Sequence, residues 1–149
     1  MSTDEKVTKD LIETLEDGKQ GFADAAEKLS KTNRSDLAMK FRDYSSQREK
    51  FASELRGMAS AAGADVKDSG SAAGAMHRGW MAVKDAMSGD DADGILDAAE
   101  QGEDHAVSEY QKALDNTEIS VDLRDVIERQ YASVQAAHDE VRTLRDSIS

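Results

Sequence analysis

The chain contains no cysteine and no proline. Without cysteine there is no disulfide, no thiolate metal ligand and no thiol nucleophile, and this usage fits a reducing compartment. Without proline nothing interrupts a helix, so long helices are permitted. Aromatic residues are only 5% of the chain. Alternating apolar and polar runs are absent, so no strand competes with the helical reading. No stretch approaches the roughly 18 apolar residues of a membrane span, and the charged segment Met1 to Asp10 lacks the apolar region of a secretory signal. The expectation is a soluble, cytoplasmic protein with no membrane partner. Positive charge is also scarce: 19 Lys and Arg stand against 31 Asp and Glu, for a formal net charge of -12. Binding a polyanion relies on clustered Lys and Arg, so nucleic acid is not expected as a partner. Asp outnumbers Glu 19 to 12; Asp is the poorer helix former but serves well at helix starts.

What is present is helical periodicity. At 149 residues the chain is long enough for one hydrophobic core, read here as a single domain over 1–149. Four segments carry apolar residues at spacings of three and four. The first runs from about Asp4 to Leu29, with Val7, Leu11, Leu15, Gly18, Phe22, Ala25 and Leu29 on one face. The second follows a capping region at Asn33 to Asp36, carries Leu37, Phe41, Tyr44, Arg48, Phe51, Leu55 and Met58, and should stop near Gly63. The third begins in the Asp90 to Asp93 cluster, with Leu96, Ala99, Glu103, Ala106, Tyr110 and Leu114 as its stripe. The fourth follows the Asp115 to Ser120 turn and carries Leu123, Ile127, Gln130, Val134, His138, Val141, Leu144 and Ile148. Between the second and third lies Ala64 to Gly89, rich in Gly, Ser and Ala, with a shorter periodic piece (Ala73, Met76, Trp80, Val83, Met87) that predicts a short fifth helix. Two hairpins with short turns, joined by one long and partly helical connection, correspond to the ferritin-like form of the antiparallel four-helix bundle.

Two residues break the pattern. Arg48 and Glu103 each put a charge near the middle of an apolar stripe, where an amphipathic helix keeps none. Opposite ions inside two helices predict a polar layer within the bundle, with Tyr44, Gln130 and His138 as candidates to complete it and Gly18 leaving room for the Arg48 side chain. Such layers hold metals and ligands in some bundles and structural ion pairs in others.

The segments Leu11 to Gly18 with Phe22, Ser46 to Phe51 with Glu54 and Leu55, His77 to Trp80, Gly102 to Asp104 with Tyr110, and His138 with Asp139 resemble a family of bacterial ferritin-like four-helix-bundle proteins of unknown function. The resemblance extends over nearly the whole chain. It implies the fold and a small cytoplasmic protein associated with stress or stationary phase, and it implies no known reaction. The wider ferritin-like group builds a di-iron or di-manganese centre from one Glu on each of two helices and a Glu-x-x-His on each of the other two. Here Glu103 and His138 can stand for two of these ligands, but the position three before His138 is Gln135, and the inward charge of the second helix is Arg48, a permanent cation. Asp17, Glu100, Glu103, Gln135 and His138 are the set from which an altered iron or manganese site would be drawn. The favoured reading has no cofactor, the guanidinium replacing the metal charge.

Three further features carry weaker signals. Gly89 to Glu100 nearly matches a calcium loop, but its first position is Gly instead of Asp, so helix capping is the better reading. Met76, His77, Trp80 and Met87 form a stripe suited to a core, or to a partner or dimer face. His105 beside Asp104 is expected in solvent, and neither it nor His138 beside Asp139 makes a dyad alone, since adjacent helical residues diverge by about 100°. There is no nucleophile elbow and no phosphate-binding glycine loop. Two functions follow. The first is a non-catalytic binding or assembly module, a homodimer among its forms; the second is a metal-dependent, di-iron-type oxidoreductase or iron-handling protein using Glu103 and His138.

Overall fold

A computed structural model describes residues 2–63 and 92–148. These form four helices and, among the described residues, no strand: α1 (Thr3–Lys31), α2 (Ser35–Ala61), α3 (Ala92–Asp115) and α4 (Val121–Ile148). The stripe Met76, His77, Trp80 and Met87, the short fifth helix and the first residues of the calcium-like loop lie outside the described residues.

Local chemistry sets the helix ends. The Ser2 hydroxyl accepts from the Glu5 amide at 3.1 Å, satisfying a donor that the first turn leaves free, and Asp4 and Glu5 favour the positive end of the helix dipole. At the far end Asn33 takes the left-handed conformation at φ 64°, and the Arg34 amide donates back to the Leu29 carbonyl, a Schellman-type closure that turns the chain into α2. Gly63, at φ 82°, follows α2. The α3–α4 turn is held by the Asn116 side chain accepting from the Glu118 amide, by Ser120 capping Leu123, and by Arg124 donating to the Leu114 and Asn116 carbonyls.

Packing follows the stripes, with contacts of α1 on α2, α3 on α4, α1 on α3 and α2 on α4. The buried apolar residues fall into two clusters. One gathers Phe22, Leu29, Leu37, Phe41, Ile95, Leu96 and Val141; the other gathers Leu11, Leu15, Leu55, Tyr110, Ile127 and Val134. Between them every helix changes cluster: after Leu15 on α1, after Phe41 on α2, after Ala99 on α3 and after Val134 on α4. Gly18, Arg48 and Glu103 fall in these intervals, and the buried Arg48 and Glu103 make a polar layer that divides the core in two.

Candidate functional site

Arg48 is 1% exposed and Glu103 0%. Arg48 Nη1 donates to Glu103 Oε1 and Nη2 donates to Oε2, each at 2.7 Å, a fork-on-fork geometry linking α2 to α3. Both carboxylate oxygens are therefore engaged by one cation. The guanidinium also stands over the Phe22 ring at 5.2 Å from its centroid, a cation–π contact from α1. Desolvating both ions is unfavourable by several kcal/mol each, so the pair specifies how α2 and α3 align more than it adds net stability.

Gly18 sits against this guanidinium. A Cβ built there would lie 3.4 Å from Arg48 Nη1, 3.5 Å from Cγ and 3.8 Å from Cδ, all ordinary contact distances. A methyl group therefore fits there in contact with the Arg48 side chain. Gly18→Ala should raise stability by up to about 1 kcal/mol through helix propensity, whereas Gly18→Leu should lower it by about 1–3 kcal/mol through overpacking. Urea midpoints of the two variants, at unchanged slope, check this.

A second buried network lies in the other half of the core. The Tyr110 hydroxyl donates to Gln130 Oε1 at 2.7 Å, and Gln130 Nε2 donates to Glu54 Oε1 at 2.8 Å and to the Phe51 carbonyl at 3.3 Å. These bonds fix the orientation of the amide. Glu54 is in turn paired with Arg129 at the surface. Burial pushes the Tyr110 phenol well above its ordinary range, with Arg48 pulling the other way, so it stays a neutral donor. Tyr110→Phe leaves the fully buried Gln130 oxygen unpaired and should lower stability by about 1–3 kcal/mol, measured by chemical denaturation.

The third polar group lies on the α3–α4 flank. His138 Nε2 lies 2.5 Å from Asp104 Oδ1, and Nδ1 lies 3.2 Å from Asp139 Oδ1. Burial pulls the imidazole down, but the hydrogen bonds to Asp104 and Asp139 outweigh it and hold His138 above its usual range. Glu100, buried one turn before Asp104, is met by Arg142 Nε at 3.3 Å and by Arg145. One ligand atom each from Glu100, Asp104 and His138 lie within 4.8 Å of one another.

The residues expected in one central layer therefore separate. Arg48 and Glu103 meet. Gln130 bonds to Tyr110 and Glu54, and His138 to Asp104 and Asp139, so neither completes the Arg48–Glu103 pair. The Tyr44 ring packs against Phe22 and Phe41, its hydroxyl buried without a hydrogen-bond partner. Of the altered metal set, Asp17 is buried on α1 and Glu103 is bound by Arg48. Gln135 is exposed on α4, one helical step off the stripe residue Val134, so it faces away from the core. Glu100 and His138 do come together. Sequence reading missed their companion Asp104, which is exposed and so reads as solvated; its signal was the Glu100–Asp104 spacing of four, which places both acids on one face. The adjacent His138 and Asp139 also meet, through Nδ1 and Oδ1.

No match is found among curated proteins. A family model described as a domain of unknown function (DUF2383) matches residues 5–116, which include all but the first two residues of α1, the whole of α2 and α3 and both members of the Arg48–Glu103 pair, and the chain belongs to that family.

Proposed function

We propose that this protein is a ferritin-like antiparallel four-helix bundle acting as a non-catalytic binding or assembly module in the cytoplasm, with the position of a dinuclear centre taken by an ion pair. The helix order supports the architecture. Along α1, Glu16, Lys19 and Phe22 meet Arg56, Ser45 and Phe41 of α2, descending as α1 ascends. Lys40 and Arg56 bracket the stretch of α2 in which Lys40 meets Glu140 and Glu54 meets Arg129 of α4. Asp4 and Thr3 meet Ser120 and Glu118, which sets α1 and α4 off from the same end. The end of α2 packs with the start of α1, while the start of α3 packs with the end of α1, a placement that one long crossover satisfies.

The observation that carries the functional reading is that the buried guanidinium of Arg48 engages both oxygens of Glu103, so a metal at this carboxylate would have to sit against a permanent cation. A stress-associated role rests on the family resemblance alone. Iron(II) added under oxygen should be oxidised no faster than in buffer, with no dinuclear absorption. Two irons per chain, lost in Glu103→Gln, would instead establish the oxidoreductase reading. If assembly is with a second copy, sedimentation equilibrium should return twice the chain mass of 16.2 kDa.

A further inference from the structure

We propose that Glu100, Asp104 and His138 form a site for one divalent transition-metal cation, a clamp between α3 and α4 that is separate from the Arg48–Glu103 layer. Glu103 is turned to α2, while Glu100 and Asp104, four residues apart, face α4. Their oxygens and a His138 nitrogen lie within 4.8 Å of one another. A cation held at about 2.0–2.2 Å from each needs ligand atoms about 3.3 Å apart, which shifts of about an ångström would supply. One imidazole and two carboxylates suit zinc, cobalt, manganese or iron(II), and three protein ligands leave a position for water.

Two further observations point to a cation. The first is the orientation of the imidazole. Nε2 faces the carboxylate of Asp104 while Nδ1 is held by Asp139, the arrangement by which an outer carboxylate fixes a metal-binding histidine. The second is charge. Glu100, Asp104 and Asp139 meet at the site, against the guanidiniums of Arg142 and Arg145, the latter also paired with Asp97 and Asp146. A metal ion takes the place of the proton that Asp104 and Asp139 favour on His138, and the three acids Glu100, Asp104 and Asp139 then outnumber the two guanidiniums. Glu100 is 7% exposed, its carboxylate met by the guanidiniums of Arg142 and Arg145. Arg142, whose side chain is 51% exposed, approaches Nε2 at 3.5 Å and is free to swing into solvent when the ion enters.

The test is a cobalt(II) titration followed by visible absorption, with zinc(II) competition and calorimetry, on the full chain. One equivalent should bind. His138→Gln should weaken binding by more than 100-fold, Asp104→Asn by at least 10-fold and Asp139→Asn by about 10–100-fold, while His105→Gln leaves it unchanged. Circular dichroism verifies each fold, and if His138→Gln unfolds, the exposed Asp104→Asn decides. No binding by the wild-type chain, or equal affinity in the wild type and the deciding variant, overturns the proposal. The outcome is independent of the core reading, which fails on two irons lost in Glu103→Gln.

Discussion

Arg48→Ala should lower the unfolding free energy by about 3 kcal/mol or more. The substitution leaves Glu103, 0% exposed, as a buried carboxylate without its two donors, and it removes the cation from the face of Phe22. The loss comes from the stranded partner more than from the attraction itself. Arg48→Met with Glu103→Leu, which replaces both ions by apolar groups of similar reach, should therefore be much milder than either single change. Guanidinium chloride unfolding of the three variants gives the comparison. Equal losses in the single and double variants would contradict the stranded-charge account.

Phe22→Ala should lower stability by about 3–5 kcal/mol. Phe22 is 0% exposed and meets Phe41 edge-to-face at 5.2 Å and 82°, Tyr44 at 5.2 Å, and the Arg48 guanidinium. Truncation opens a cavity at the boundary between the apolar cluster and the polar layer, so it removes aromatic contacts from one side and the cation–π contact from the other. Phe22→Leu keeps most of the volume and should recover more than half of the loss. Because Phe22 and Arg48 touch, the two alanine substitutions should be non-additive, and a double-mutant cycle measures that coupling.

The stripes were legible because burial on a helix repeats every three to four residues. Leu11, Leu15, Phe22, Leu29, Leu55, Leu96 and Ile127 are all buried, and the helix ends near Asn33, Gly63 and Ser120 follow from capping chemistry. Arg48 and Glu103 were legible for the opposite reason: an ion in an apolar stripe has to find a partner. What spacing does not encode is how far a side chain reaches once inside. Gln130 and Tyr110 lie on different helices with no sequence relation between them, and Gln130 turns toward Tyr110 and Glu54 instead of the guanidinium. Tyr44 shares the stripe of Arg48, yet its ring lies with Phe22 and Phe41 in the apolar cluster. Asp104 and Asp139 read as solvent residues because they are exposed, but their carboxylates fold back onto a buried imidazole. Periodicity assigns residues to faces, while the flank site is made at the edge where two faces meet.

The most direct measurement is arginine side-chain NMR of the 15N-labelled protein. A guanidinium forked onto a buried carboxylate cannot rotate about its Nε–Cζ bond or exchange its protons freely. Arg48 should give separate Nη1 and Nη2 proton signals, slow to exchange and lost in Glu103→Gln. An Arg48 signal that is averaged and exchanges as fast as that of exposed Arg129 would mean that the cation lies in water and the interior layer does not exist.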